Sequence, residues 1–511
     1  MHGRFFSLPR YRRIMFAKIK KYLAAVIVLV CFVSFFVTAF GYKDRDVITI
    51  AFWGTNKPYE NSLKEVAEQY NKSQDKYKVV TSNQAADSYR TWMGARLAGG
   101  NAPEILATTS VYANADADNG YLCDLSPYLG SVNPYNDTGE SWADDFTGTY
   151  LTQVAYASDT SMYFCIPTST VSVRIIVNVE LLRENGIEIP TSDWTFSEYR
   201  KICEKLEKTG KFPAAMQIAN QKFINYMVSW IIDIFMAQVK YDDIVSWDEN
   251  ENGQVETEEI VRLFQSSYDA YDISKDEDFA NVMKFIKAWS KYFGENFNSR
   301  DDVSESFLRG QVPMLFSGSW GVAGIELTLD NENPDADASN PYKKFEYISL
   351  PFPRLEKTNY IDESTSFEFP SIKENLPLQE LGEPSNCYCI PKSAEDSGKL
   401  EGAVDFLRYF TSKTVAGQMA DSSYTIPVTS GVSVNPKMTD FLPPENSESI
   451  KMRFNLLNLA DGVAEEYHFK QVQMYLMDGK GGISLKSLLQ NVQNKYFEVT
   501  ERIKDDNEWE M

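Results

Sequence analysis

An α/β fold built on doubly wound sheets is predicted by two features of the chain. The first is a βαβαβ order near the start of the globular part, where apolar strands alternate with amphipathic helices. The second is residues 310–324, where a buried strand ending at Phe316 runs into a loop of small residues around Trp320. Open α/β sheets bind ligands at such strand ends, so this loop is a candidate site. The alternative is a tight turn in which Trp320 fills the core.

The individual elements follow from the period of the apolar residues. Short apolar runs bounded by turn residues predict the strands at 47–52, 77–80, 103–106, 175–178 and 312–316. Apolar residues at helical spacing predict the helices at 62–70, 89–98, 196–207 and 224–239. Trp53 follows the first strand directly. Its indole, like that of Trp320, is therefore expected at the carboxyl end of a strand.

The composition is that of a globular protein. The chain has 511 residues, of which 43% are apolar and 14% aromatic, enough for two or three cores. The formal net charge of −22 would repel nucleic acid phosphates and anionic lipid. We therefore expect no nucleic acid partner, and contact with a membrane only through the amino-terminal segment.

The amino-terminal segment has the pattern of an export signal. Residues 22–41 contain no charge and have the length of a membrane span, and basic residues without any acid precede them. The positive-inside rule places the amino terminus in the cytoplasm and the body outside, at the cell surface or in the periplasm. Residues 1–45 are thus predicted to be a cytoplasmic basic segment plus a signal peptide or membrane anchor. Cleavage near 37–41, lipidation at Cys31 and a start at Met15 remain open alternatives.

The cysteines do not form a disulfide framework. Five remain after the export segment, an odd number at wide spacing, and Cys387 and Cys389 point to one face of a strand. We expect buried free thiols.

Residues 248–259 match the twelve-residue calcium loop. Oxygen ligands fill the first, third and fifth positions, Gly253 occupies the sixth and Glu259 the twelfth. The predicted metal ligands are Asp248, Asn250, Asn252, Gln254, Glu256 and Glu259. The alternative is an acidic surface turn in a protein with 72 Asp and Glu residues.

Catalysis has little support in the sequence. The two histidines are His2 and His468, so a Ser-His or Cys-His pair would depend on His468 alone. Residues 317–321 lack the first glycine of a nucleophile elbow, and no H-E-x-x-H occurs. A two-carboxylate glycoside hydrolase stays a minor alternative. We expect a protein that is not an enzyme and requires no cofactor, with calcium as a possible structural ion.

The order of several short motifs resembles the extracellular solute-binding proteins (family 1 type) of carbohydrate ATP-binding-cassette importers. The motifs are Leu97-Ala-Gly-Gly-Asn-Ala-Pro-Glu-Ile105, Trp194-Thr-Phe-Ser-Glu198, residues 310–320, Phe406-Leu-Arg-Tyr-Phe-Thr-Ser412 and Gly482-Ile-Ser-Leu-Lys-Ser-Leu-Leu489. The resemblance runs over residues 46–505. It departs at Glu104, where the family often has Asp, at residues 340–384, a longer insertion than usual, and at the poor lipobox.

The resemblance implies a two-lobed, periplasmic-binding-protein-like fold with a multi-strand hinge. The first lobe would comprise residues 46–167 and 390–428 and the second residues 168–389 and 429–511. The hinge crossings are expected near 166–173, 386–391 and 425–430. The implied function is to capture a sugar or oligosaccharide between closing lobes, as a monomer, and to deliver it to the permease subunits. A surface glycan-binding adhesin is the alternative, which a permease pair encoded beside the gene would argue against.

Sugar recognition calls for aromatic planes and hydrogen-bonding side chains, because sugar rings have apolar faces and many hydroxyls. The candidate ligand-binding residues are Trp53, Asn56 and Tyr59 in the first lobe and Phe223, Asn225, Trp230 and Trp320 in the second. For Trp230, which stands on an apolar helix, a place in the core is the alternative.

Overall fold

The computed structural model describes residues 45–509 except 54–55, 220–225, 296, 298–302, 331–341, 374–375, 377, 380–381, 445–446, 449–451, 460, 478 and 480. The predicted export segment at 22–41, with Cys31, lies outside the described residues. Within those residues, no helix combines the length and the apolar character that a bilayer crossing requires.

Strands and helices alternate along most of the chain. The strands are β1 (Asp46–Trp53), β2 (Tyr77–Gln84), β3 (Ile105–Thr108), β4 (Ala155–Tyr156), β5 (Asp159–Tyr163), β6 (Ser169–Asn178), β7 (Met216–Ile218), β8 (Met314–Gly318), β9 (Tyr347–Leu350), β10 (Thr358–Tyr360), β11 (Ser366–Glu368), β12 (Leu378–Gln379), β13 (Gly382–Ser385), β14 (Cys387–Cys389), β15 (Ile426–Pro427) and β16 (Ser447–Glu448). The α-helices are α1 (Lys57–Ser73), α2 (Tyr89–Ala98), α3 (Ser110–Asp118), α4 (Ser126–Leu129), α5 (Val179–Glu184), α6 (Phe196–Thr209), α7 (Tyr226–Val239), α8 (Tyr241–Trp247), α9 (Thr257–Gln265), α10 (Glu277–Trp289), α11 (Val303–Leu308), α12 (Val322–Asp330), α13 (Lys392–Asp396), α14 (Leu400–Phe410), α15 (Lys413–Ser423), α16 (Gly462–Leu476) and α17 (Leu485–Asp506).

The first sheet has the strand order β14-β3-β1-β2. β1 runs parallel to β2 and to β3, which confirms the predicted βαβαβ unit. Helix α1 begins at Lys57, five residues before the predicted start, because the Asn56 side chain caps it and Pro58 follows in its first turn. Its buried face packs on the sheet through Leu63 and Val66 and completes the first core, which surrounds β1–β3 and β14.

The second sheet has the order β13-β6-β8-β7, and β9 and β15 also pair with β6. β7 runs parallel to β8, whereas β6 runs antiparallel to β8, β9, β13 and β15. The second sheet is therefore mixed and not wholly parallel. Strand direction depends on the path by which the chain enters the sheet, which apolar periodicity does not encode. The second core surrounds β6–β8 and includes helices α7, α10 and α17.

Three connections between the two cores lie side by side, near the predicted hinge crossings. Ile166 and Tyr388 exchange both backbone hydrogen bonds at 2.9 Å. A few residues on, Thr170 lies opposite both Pro384 and Ile426. β14, which the sequence places at the end of the second lobe, pairs with β3 and so belongs to the first sheet.

The cysteines of the described residues are all buried and free, as predicted. Cys387 and Cys389 lie two residues apart in β14, so their side chains point to the same face of the strand and cannot bridge each other. Burial raises the pKa of the Cys123 thiol to about 11, so this thiol is poorly reactive at neutral pH.

Candidate functional site

Trp53 lies at the carboxyl end of β1 and is partly exposed. Its ring meets the ring of Tyr89 edge-on, with centroids 5.2 Å apart. The Tyr89 hydroxyl donates to the carbonyl of Ala107 in β3 at 2.8 Å, which fixes that ring across two strands. The Trp53 indole therefore packs against a fixed neighbour, while part of the tryptophan stays exposed.

Asn56 and Tyr59, two further candidates, have partners inside the first core. The Asn56 Oδ1 accepts the backbone N–H of Tyr59 at 2.9 Å and so caps α1. Tyr59 is 3% exposed, and its hydroxyl is 2.7 Å from the hydroxyl of Tyr388 in β14. Burial raises the pKa of Tyr59. These contacts favour structural roles, in which Asn56 starts the helix and Tyr59 ties it to a connection between the cores.

Trp320 follows β8 in a short 3₁₀ helix, Ser319–Gly321, and is partly exposed. Its indole lies against the backbone of Gly318: a Cβ built there would be 2.3 Å from two ring atoms. Real Cβ contacts are never that short, so the position requires glycine. Gly318 therefore leaves the space in which the Trp320 ring packs.

Trp230, on α7, is fully buried, as the alternative interpretation predicted. Its ring centroid is 6.0 Å from that of Trp320, and the Arg453 guanidinium carbon lies 4.0 Å from its ring centroid. Trp230 thus packs against Trp320 and also makes a cation–π contact with Arg453. Phe223 and Asn225, the remaining candidates, lie outside the described residues.

Arg453 is the centre of a buried ionic cluster that sequence analysis missed. We call Arg453, Asp233, Glu383 and Glu465 the Arg453 cluster. The Arg453 Nε lies 2.8 Å from Asp233 Oδ2, and its Nη1 lies 3.0 Å from Glu383 Oε1. The Arg453 and Asp233 side chains are 2% and 0% exposed. The backbone N–H of Phe454 donates to the other Asp233 oxygen at 2.8 Å.

Burial dominates the electrostatics of this cluster. It raises the pKa of Asp233 to about 7, although Arg453 opposes the shift. It also raises the pKa of Glu465 to about 7, where Arg453 again opposes the shift and Glu383 adds to it. The cluster therefore holds more carboxyl groups than its one guanidinium can neutralise.

We expect Glu465 to make stability fall as pH rises. Its folded pKa lies above its ordinary value of 4.5, so its contribution is fully present below about pH 4.5 and is lost as pH rises through 7. The loss should be on the order of 2 kcal/mol. Urea unfolding at pH 5 and pH 8 measures it, and Glu465→Gln should flatten the difference while Glu466→Gln, at an exposed neighbour, should not. If the stability difference between pH 5 and pH 8 is the same in Glu465→Gln and Glu466→Gln, the assignment of this effect to Glu465 is wrong.

Helix α3 and the preceding helix α2 carry a second group of polar side chains, in the first core. Helix α3 begins directly after β3, and the Thr109 side chain caps it. Arg90 makes a two-point contact with Asp116, at 2.6 and 3.0 Å, and its guanidinium carbon lies 4.5 Å from the Tyr112 ring centroid. Burial raises the pKa of Tyr112 to about 12, with the negative charge of Glu465 as the next cause. Helix α3 also contacts the 3₁₀ helix Leu457–Leu459, whose Leu459 belongs to the second core.

The contacts among these residues form two groups, Trp320, Trp230 and Arg453 in the second core and Tyr112 with Arg90 in the first. The first group lies at the carboxyl end of β8, and the second follows the carboxyl end of β3. The strand-end rule could have identified the start of α3 in the sequence. The Arg453 cluster gave no such signal, because its members stand far apart in sequence and none follows a predicted strand.

Two surface cavities are lined by other residues. One, of about 390 Å³, lies between α15 and residues 431–435, and the other, of about 330 Å³, borders Gln238 and Arg354. Neither is lined by Trp53 or Trp320.

The predicted calcium loop joins helices α8 and α9. The Asp248 carboxylate accepts the backbone N–H groups of Asn252 and Gly253 at 3.1 and 2.8 Å. Glu259 accepts those of Glu249 and Glu256, each at 2.7 Å. Within the described part of the chain, no group of three or more His, Cys, Asp or Glu is arranged to hold a metal ion.

The same loop contacts the first core. The Gln254 Nε2 donates to the carbonyl of Gln153 at 3.0 Å, and the Asn458 Nδ2 donates to the carbonyl of Val255 at 2.7 Å. Residue 458 belongs to the 3₁₀ helix Leu457–Leu459, which packs near α3. The loop is therefore tied to both cores.

The family described as "Bacterial extracellular solute-binding protein" matches residues 65–441. Among solved structures, the chain is similar to the GacH receptor of Streptomyces glaucescens, at 18% identity and a TM-score of 0.60, covering 89% of this chain and 99% of that one. It is also similar to the cyclic alpha-maltosyl-1,6-maltose binding protein of Arthrobacter globiformis, at 14% identity and 0.59, covering 89% and 99%. A third, Lmo0181 of Listeria monocytogenes in complex with cycloalternan, has 16% identity and 0.59, covering 90% and 99%.

Proposed function

Since this chain belongs to the bacterial extracellular solute-binding proteins, we propose that it is the substrate-binding component of an ABC importer that captures a sugar or oligosaccharide. The observation that supports the proposal is that Trp53 and Trp320 are partly exposed indoles at strand ends, one packed on each core. We propose that the ligand binds in a groove between them. Partly exposed indoles are suited to stacking on sugar faces. The family binds solutes and does not catalyse reactions, in agreement with the sequence prediction.

The similar structures support a carbohydrate ligand. One binds cyclic alpha-maltosyl-1,6-maltose, one was solved in complex with acarbose and one with cycloalternan. The test is a thermal-shift and fluorescence screen of the full-length chain against a glycan panel. A glycan that raises the melting temperature and alters tryptophan emission supports the proposal, and a panel without any such glycan contradicts it.

The two lobes of the proposal follow the two cores. We assign residues 46–167 and 390–428 to the first lobe and residues 168–389 and 429–511 to the second, with β14 moved to the first because it pairs with β3. Closure would bend the three adjacent connections at Ile166, Ser385 and Thr429. The ligand would then be handed to a membrane permease by the monomeric, closed form.

Residues 1–45 are proposed to export the protein and to remain as an anchor or to be cleaved. Fusing them to a reporter should place the reporter outside the cytoplasm, because residues 22–41 are uncharged and preceded by basic residues. Protease accessibility in intact cells measures this. A control fusion with Ile27→Arg and Leu29→Arg should stay inside, since a charge at the centre of a span is costly. A cytoplasmic reporter in the unaltered fusion would overturn the proposal.

Calcium at residues 248–259 is proposed as a structural ion. Three carboxyl groups of the loop, Asp248, Glu256 and Glu259, have pKa values raised by burial, and a bound cation would relieve that cost. The left-handed turn at Gly253, with φ of 89°, suits the sharp bend of such a loop. A single loop without a paired partner favours stabilisation over sensing.

Calcium at tenfold excess over Kd should raise the free energy of unfolding by about 1.4 kcal/mol. Glu259→Gln should remove most of that gain, because it removes one charged ligand oxygen. Thermal melts with calcium and with EDTA measure both effects, and Glu258→Gln, at the neighbouring position in α9, is the control. If neither EDTA nor Glu259→Gln changes the melting temperature, the calcium proposal is wrong and the loop is an acidic surface turn.

A further inference from the structure

One hydrogen bond joins the loop at residues 248–259 directly to the first core. The Gln254 Nε2 donates to the backbone carbonyl of Gln153 at 3.0 Å, across 101 residues of chain. Val255, next to Gln254, is fully buried in the second core. Gln153 is 4% exposed and precedes Val154, which is buried in the first core. The bond therefore links the two cores at a place other than the three connections.

The loop itself fixes the direction of the Gln254 amide. The Gln254 Nε2 carries two hydrogens, and it also donates to the Glu256 Oε1 at 2.9 Å. The other Glu256 oxygen accepts from the Asn250 Nδ2 at 3.0 Å, so this buried carboxyl group is held on both sides. One hydrogen of the amide is thus bonded within the second core, and the other is directed at the first.

The acceptor on the first core is held in place as well. The Gln153 backbone N–H donates to the carbonyl of Thr149 at 2.9 Å, and the Gln153 Nε2 donates to the Thr149 hydroxyl at 2.8 Å. Beside the loop, the Asn458 Nδ2 donates to the carbonyl of Val255 at 2.7 Å, and the 3₁₀ helix that carries Asn458 contacts α3 of the first core. Two segments of the second core that are bonded to each other therefore both touch the first core.

We propose that Gln254 is a clasp residue, which holds the second lobe against the first and so slows the release of a bound glycan. This inference rests on the proposed function. A contact that is made only when the lobes are together raises the fraction of closed molecules, and the apparent affinity rises with that fraction. Because the contact forms after the ligand has entered, its effect falls mainly on the dissociation rate. Gln254 is thus a positioning residue that acts through the lobes.

The first test is Gln254→Glu, which keeps the size of the side chain but replaces the donor by an acceptor. That acceptor would face the Gln153 carbonyl and the Glu256 carboxyl group. In EDTA, so that calcium plays no part, affinity for the best glycan of the panel should fall roughly tenfold. The dissociation rate should rise by a similar factor while the association rate stays nearly constant. Calorimetry and stopped-flow tryptophan fluorescence of the full-length chain measure these values.

Gln254→Lys is the rescue variant, because its ammonium group restores a donor of similar reach. It should bind and release the glycan much as the unaltered chain does. If Gln254→Glu does not fold, Gln254→Ala removes the same donor without adding a charge and is judged by the same rates. A lysine variant that releases the glycan as fast as the glutamate or alanine variant would overturn the clasp.

Gln265→Glu is the matched control. The Gln265 Nε2 also donates to two acceptors, the carbonyl of Phe497 at 3.1 Å and the hydroxyl of Thr500 at 2.8 Å, but both belong to α17 of the second core. Gln265→Glu adds the same charge and should leave both rates unchanged. Equal rates in Gln254→Glu and Gln265→Glu would overturn the clasp and leave the proposed function intact.

Small-angle scattering of the same two variants tests the clasp without a ligand. Gln254→Glu should have a larger radius of gyration than Gln265→Glu, because the lobes of the first variant separate more readily. Equal radii would overturn the clasp. A glycan panel without any binder would overturn the proposed function itself, and the scattering comparison would still decide whether Gln254 holds the two cores together.

Discussion

Replacing Arg453 by glutamine is expected to lower the free energy of unfolding by about 3 to 5 kcal/mol. The guanidinium is 2% exposed and contacts Asp233 at 2.8 Å and Glu383 at 3.0 Å. Without it, Asp233 must be buried unpaired or take up a proton, and the Trp230 ring loses the cation above it. The size of the effect comes mainly from the partners left behind and not from the ion pair itself.

Urea unfolding at pH 8, followed by circular dichroism, measures this loss. Arg183→Gln is the control, because Arg183 makes a close ion pair with Glu346 at 2.7 Å in which both side chains are more than half exposed. That control should change stability by about 1 kcal/mol or less. Adding Asp233→Asn to Arg453→Gln should recover part of the loss, since it removes the uncompensated charge. Equal losses in Arg453→Gln and Arg183→Gln would contradict the buried cluster.

The first sheet could be predicted because its signals are local. The strands β1, β2 and β3 are short apolar runs, and the glycines after α2 mark where that helix ends. The antiparallel course of β6 could not be predicted, because its four partners come from residues far along the chain. Non-local pairing is set by the whole topology, which periodicity within one segment does not report.

The aromatic residues of the site were partly predictable for the same reason. Trp53 and Trp320 each stand beside a glycine at a strand end, a pattern visible within a few residues. Asn56 and Tyr59 show the limit, because a side chain that caps a helix and one that binds a ligand have the same sequence context. Arg453 could not have been found, since only the fold brings it to Trp230 and Asp233.

Gly318→Ala should weaken sugar binding as strongly as Trp320→Ala, by about 3 kcal/mol or more than a hundredfold. A Cβ at residue 318 would lie 2.3 Å from two atoms of the Trp320 ring, so the indole would have to move away from residue 318. Both substitutions therefore remove the same stacking surface. The double variant should lose no more affinity than Trp320→Ala alone, because the methyl group acts only through the ring.

Calorimetric titration with the best glycan of the panel measures all three variants, and Gly324→Ala is the control. Gly324 lies in α12 with no atom within 4 Å of its Cβ position, so alanine there should leave affinity unchanged and hold the helix at least as well. If Trp320 were only a core residue, Gly318→Ala and Trp320→Ala would lower the melting temperature and leave affinity as it was. A loss of affinity shared by both variants, without addition in the double variant, would instead identify Trp320 as the ring on which the sugar stacks.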